Sequence, residues 1–214
     1  MAIISKLIEG LTNDVTYYAR VYPINPKGFA QSELDGQVAS AIPVEVNLLD
    51  YIEATGTQYI DTGLTVNKPE SYEYIIDALF TNDAYGGANG YLQFKGGLSG
   101  GVRKTIKIVY NGNTHIESIY VNNVLNSSTD WTNTYSDQNV KIGIFKLGDP
   151  NNAWNSGNAQ IGKVYSCQIK KKGNLVRDFV PARNKSGVAC LYEKISETYY
   201  LNAGSGTFIA SELS

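Results

Sequence analysis

The apolar residues of this chain recur at every second position over short runs, and none of the runs sustains a helical stripe over three turns, so the pattern predicts an all-β protein. In "SYEYIIDALF" Tyr72, Tyr74, Ile76, Ala78 and Phe80 fall on one face, with Glu73, Ile75, Asp77 and Leu79 on the other. "TIKIVY" aligns Ile106, Ile108 and Tyr110, and "VKIGIF" aligns Val140, Ile142 and Ile144. These read as core strands of two packed antiparallel sheets.

The turns between the runs are equally marked. "IYVNNVL" places two apolar pairs around Asn122 and Asn123, and asparagine tolerates the positive φ angles of a two-residue type I′ hairpin. "YSCQIKKKGNLVRDFVP" repeats the design with "KKGN" at its tip, so Lys170, Lys171 and Lys172 read as a solvated hairpin end. Arg177 and Asp178 alternate faces, and the arginine is expected to cap backbone carbonyls or to meet a carboxylate such as Asp61 or Glu193.

Composition narrows the setting. The 214 residues suffice for one sandwich and a small additional unit, and a formal charge of −2 provides no broad positive field for nucleic acid or anionic lipid. No segment reaches the roughly 18 apolar residues of a membrane helix, and "MAIISKLIEGLTND" has no secretory pattern, so membrane insertion is not expected. Cys167 and Cys190 both lie in alternating runs; buried thiols are the first expectation, and a bridge between neighbouring strands stays open. "AIP" at 41–43 reads as a linker between a segment 1–43 and a domain 44–214.

Two stretches carry family resemblances. "LIEGLTNDVTYYARVYPINPKGFAQSELDGQVASAIP", with Leu11, Tyr17 and Val21 in tyrosine-corner order and "NPKGFAQSE" as a last hairpin loop, resembles the C-terminal half of a fibronectin type III domain. "YIEATGTQYIDTG", "VYSCQI", "LVRDFVPA", "GVACLYE" and "NAGSGTF" resemble the opening and closing segments of concanavalin A-like, laminin-G-like jelly-roll domains from bacteriophage tails and gut-bacterial surface proteins. The resemblance implies a two-sheet antiparallel jelly roll and pairing of its first and last strands. It also implies a place in a virion tail or on a bacterial surface, as a structural and host-adhesion module of an oligomeric assembly whose partners are surface glycan or other tail subunits.

Some sandwiches of this type are glycosidases, but the E-x-D-x-x-E string of their carboxylate pair is missing; Glu70, Glu73 and Asp77 have the wrong spacing. The single histidine, His115, lies in "NGNTHIES" and reads as an exposed turn residue, without partners for a triad or a zinc site. No catalytic residue, resident metal or cofactor is expected. Calcium, common in laminin-G-like domains, would have Asp149 with Asn151 and Asn152, or Asp83 with Asn89, as its nearest candidate ligands.

Sugar binding has better material. "GDPNNAWNSGN" surrounds Trp154 with Asp149, Asn152 and Asn155, and "STDWTNTYSD" surrounds Trp131 with hydroxyls and Tyr135. An indole can stack on the apolar face of a pyranose while amides and carboxylates take its hydroxyls. These six residues are the candidate ligand set, with two loops lining one pocket. The competing expectation is that each ring covers a sheet edge.

Overall fold

The computed structural model describes residues 17–19, 24–25, 28–29, 39–41, 46–82, 86–89, 91–94, 100–132, 139–149, 153–157 and 159–212. The chain divides into two compact units, Met1–Glu45 and Val46–Ser214. In the first, β1 (Tyr17–Ala19) pairs antiparallel with β4 (Ala39–Ala41), and β2 (Ile24–Asn25) with β3 (Gly28–Phe29).

The second unit is a sandwich of two sheets, and no helix occurs among the described residues. Its larger sheet is built from β5 (Asn47–Thr55), β7 (Tyr72–Phe80), β10 (Lys104–Asn111), β11 (Ile116–Val121), β12 (Val124–Asp130), β16 (Ile161–Lys171), β17 (Asn174–Arg183), β18 (Ala189–Glu193), β19 (Thr198–Tyr200) and β20 (Ile209–Glu212). The order is β12-β11-β10-β7-β16-β5-β17-β18-β19, with β20 on β5. The smaller sheet contains β6 (Ile60–Val66), β8 (Gly86–Ala88), β9 (Leu92–Phe94), β13 (Val140–Ile144), β14 (Leu147–Asp149) and β15 (Ala153–Trp154). Its order is β15-β14-β8-β13-β6, with β9 on β8, and all its pairs are antiparallel except β14 with β8.

Alternation converts directly into burial. Along β7 the five residues Tyr72, Tyr74, Ile76, Ala78 and Phe80 are buried and the four between them only partly so. Ile106, Ile108 and Tyr110 of β10 and Val140, Ile142 and Ile144 of β13 join the same core. Side chains of the two sheets interdigitate there, which takes their apolar surface out of water at roughly 25 cal/mol per Å². One polar tie crosses the gap, the Tyr74 hydroxyl donating to the Gly143 carbonyl at 3.3 Å; within the smaller sheet, Thr62 Oγ1 of β6 donates to the Ile142 carbonyl at 2.7 Å.

Both expected hairpins form. Asn122 and Asn123 take φ of 49° and 66°, and Lys172 and Gly173 take 51° and 79°, the signs a type I′ turn requires. The lysines at the second tip do more than face solvent. Lys171 and Lys172 hold Glu70 at 2.7 and 3.1 Å, and Lys170 lies 3.7 Å from Glu73, which fastens the tip to the turn before β7. The first strand pairs with the last, β5 with β20. Cys167 and Cys190 are both free and buried.

Arg177 takes the carbonyl option: its Nε donates to Thr62 O at 3.1 Å and Nη1 to Val176 O at 2.8 Å. Asp61 instead meets Lys141. Glu193 accepts backbone N–H groups of Asp178, Ile195 and Ser196 and the Ser196 hydroxyl, closing the β18–β19 turn. Burial pushes this carboxyl up, but those donors outweigh it and hold it below the usual carboxylate range. His115 departs from expectation: it is half-buried, with φ of 55°, stacked on Tyr110 with Nδ1 3.0 Å from its hydroxyl.

Candidate functional site

The smaller sheet turns Lys141 and Gly143 of β13 away from the core, opposite Ile142, and on this outward side the ring of Trp154 lies across Gly143. Glycine is required for that approach. A Cβ at position 143 would stand 2.7 Å from the ring and 2.3 Å from the Lys146 carbonyl, distances no side chain tolerates. Trp154 reaches this place because β15 pairs with β14, with Gly148 opposite it and again no side chain between.

Tyr59, which immediately precedes β6, completes an aromatic pair. Its ring centroid is 4.9 Å from that of Trp154, with the planes inclined at 56°. Lys141 Nζ lies 5.2 Å from the Trp154 ring and Lys146 Nζ 5.4 Å from the Tyr59 ring, within the range where a cation is attracted to an aromatic face. Asp61 accepts from Lys141 Nζ at 3.1 Å and from the Gly63 amide at 2.9 Å. Tyr59, Asp61, Lys141, Lys146 and Trp154 are all partly exposed, so two rings, two ammonium groups and one carboxylate share one open face.

The connection between β13 and β14 shapes this face. Phe145 has φ of 69°, a conformation costing a bulky residue about 1–3 kcal/mol. Its fully buried ring, against Phe80 and Phe208, and its carbonyl, which accepts from the Gln160 amide, hold it there. The sharp turn brings Gly143 and Leu147 both opposite Gly87 and leaves Lys146 on the outward side beside Tyr59.

The sequence-predicted set is distributed over three places. Trp154 belongs to the aromatic pair. Asp149, paired with Ala153, projects to the opposite side of β14, where its carboxylate accepts from Asn89 Nδ2 at 2.8 Å and Asn155 Nδ2 at 3.2 Å. Trp131 follows β12 and donates from Nε1 to the buried carboxylate of Glu117 at 3.1 Å; Glu117 also accepts the Gln93 amide. The two indoles have no neighbour in common among these contacts. Tyr135 and Asn152 lie outside the described residues, as do Asn151 and Asp83 of the considered calcium sets.

Among the described residues no group of three or more His, Cys, Asp and Glu side chains converges to hold a metal ion. Tyr59, Lys141 and Lys146 are not marked by the sequence as ligand candidates, and Asp61 is marked only as a possible partner of Arg177. Tyr59 and Asp61 alternate with the buried Ile60 and Thr62, a signal that places them on an outward face but does not say what else stands there.

The outer face of the larger sheet is the other organised surface. Tyr51 and Tyr165 meet edge to face at 5.6 Å, Lys163 Nζ sits 4.0 Å over Tyr51, and the Arg103 guanidinium lies 3.7 Å over Tyr165 while gripping Asp77 through two bonds. A depression of about 120 Å³ lies near the hairpin tip, between Ser71, Glu73, Val109 and Asn111.

No protein-family model, no curated protein and no solved structure matches this chain.

Proposed function

We propose that the chain is a non-catalytic adhesion module: a concanavalin A-like jelly roll, preceded by a partial fibronectin type III segment, that serves a bacteriophage tail or bacterial surface protein by binding saccharide. The observation that carries this reading is the partly exposed Tyr59–Trp154 pair, backed by Asp61 and Lys141, on an outward sheet face where Gly143 leaves room for the Trp154 ring. Aromatic rings accept the C–H face of a pyranose, and the adjacent carboxylate and ammonium can exchange hydrogen bonds with its hydroxyls. One such shallow site is weak, and repetition on an oligomeric fibre would raise its strength through avidity.

Glycan arrays probed with the oligomerised chain test the reading. Binding that disappears in W154A, with the unfolding transition of the variant retained, supports it; absence of binding by the intact chain overturns it.

A second reading, a purely structural or protein-interacting module of a tail or surface protein, is favoured by the Tyr51–Tyr165 face of the larger sheet. Tyrosine and arginine are enriched where protein surfaces meet. Loss of assembly in Y165A, with glycan binding intact, would favour this reading.

A further inference from the structure

Among the described residues, Lys146, the cation beside Tyr59, is one of the few lysines outside the ion pairs of this fold, as are Lys68 and Lys185. Lys107, Lys163, Lys170, Lys171 and Lys172, on the larger sheet and its hairpin, each have a carboxylate between 2.7 and 3.9 Å away. Lys141 has Asp61. Lys146 makes no ion pair among the described residues; its Nζ donates to the Gly157 carbonyl at 3.2 Å and stands over the Tyr59 ring. The aromatic face thus carries two ammonium groups against one carboxylate, an excess of one positive charge, in a chain whose formal charge is −2. The group that supplies the excess is set in place by the Phe145 turn, whose left-handed backbone is maintained against its own conformational preference.

We propose that the saccharide taken by this face is an acidic one, whose carboxylate is received by Lys146 Nζ while its ring rests against Tyr59 and Trp154. The inference rests on the saccharide reading above and adds its chemical class. Lys146 is suited to the task because accepting a ligand carboxylate requires no competing ion pair to be broken, whereas Lys141 would first have to leave Asp61. An ammonium on a flexible stem can also follow the carboxylate of differently linked sugars, where a rigid fork could not.

Matched pairs of sugars test this: methyl glucoside against methyl glucuronide, and methyl galactoside against methyl galacturonide. They are titrated into the full chain while the indole N–H signal of Trp154, identified by its loss in W154F, is followed by NMR. At low salt the uronides should bind about threefold more tightly than their neutral counterparts, the size of one solvent-screened charge pair, and added salt should erase the difference. K146Q should bind both members of each pair equally at low salt, whatever its absolute affinity for the neutral sugars. Equal affinity for both members of each pair, or a preference that survives K146Q, overturns the proposal and leaves the saccharide reading standing. If no sugar moves the Trp154 signal, both fall together.

Discussion

The Tyr74 hydroxyl reaches across the core to donate to the carbonyl of Gly143, 3.3 Å away, and the Trp154 ring lies over that same glycine on its outward side. One residue thus joins the interior of the larger sheet to the exposed face of the smaller. Y74F should lower unfolding stability by about 1 kcal/mol, up to about 3 if the buried carbonyl finds no other donor. Urea denaturation of the two proteins measures the difference.

Gly143 should not accept even one methyl group. In G143A the new Cβ meets a backbone carbonyl as well as the indole, so β13 or β15 has to shift, at about 1–3 kcal/mol. Trp154 should also move off the sheet, which would appear as a red-shifted, more quenchable tryptophan emission in a W131F background.

Glu70 provides a pH signature. Its bonds from Lys171 and from the Tyr72 hydroxyl, with Lys172 adding to them, hold its carboxyl down to about 2 from an ordinary 4.5. A folded-state value below the unfolded one contributes stability that is complete above pH 4.5 and is lost as pH falls towards about 2. E70Q should therefore flatten the decline of the thermal midpoint across this interval while lowering stability at pH 7. Glu193, held down by its own donors, retains part of the slope in the variant.

The two thiols should be inert in the folded protein. Burial pushes Cys190 up to about 11 and Cys167 higher still, so neither supplies thiolate near neutral pH. A disulfide-exchange reagent at pH 8 should find no reactive thiol in the native chain and two in denaturant. Fast native labelling of either would contradict this packing.

The β11–β12 turn can be improved. Asn123 has φ of 66°, where glycine has no Cβ to strain, and Asn-Gly is the preferred type I′ pair. N123G should raise the thermal midpoint slightly, by about 0.5 kcal/mol of stability. N123V should lower it, because a β-branched side chain resists that angle.

What could be read from the chain alone was whatever a few adjacent residues decide. Alternation chose the buried face of β7, β10 and β13, since a strand turns successive side chains to opposite sides. Asn122–Asn123 and Lys172–Gly173 specified their turns because positive φ is a local cost that few residues escape. Nearness in "GDPNNAWNSGN" does not by itself set side-chain direction: in the β14–β15 register Trp154 stands opposite Gly148 and Asp149 opposite Ala153, on alternate sides. Only tertiary structure could bring Tyr59, Asp61, Lys141, Lys146 and Trp154 onto one face, because that depends on β6, β13 and β15 sharing a sheet and on a glycine at their crossing. Strand order is fixed by burial over the whole domain, and no short window of sequence contains that quantity.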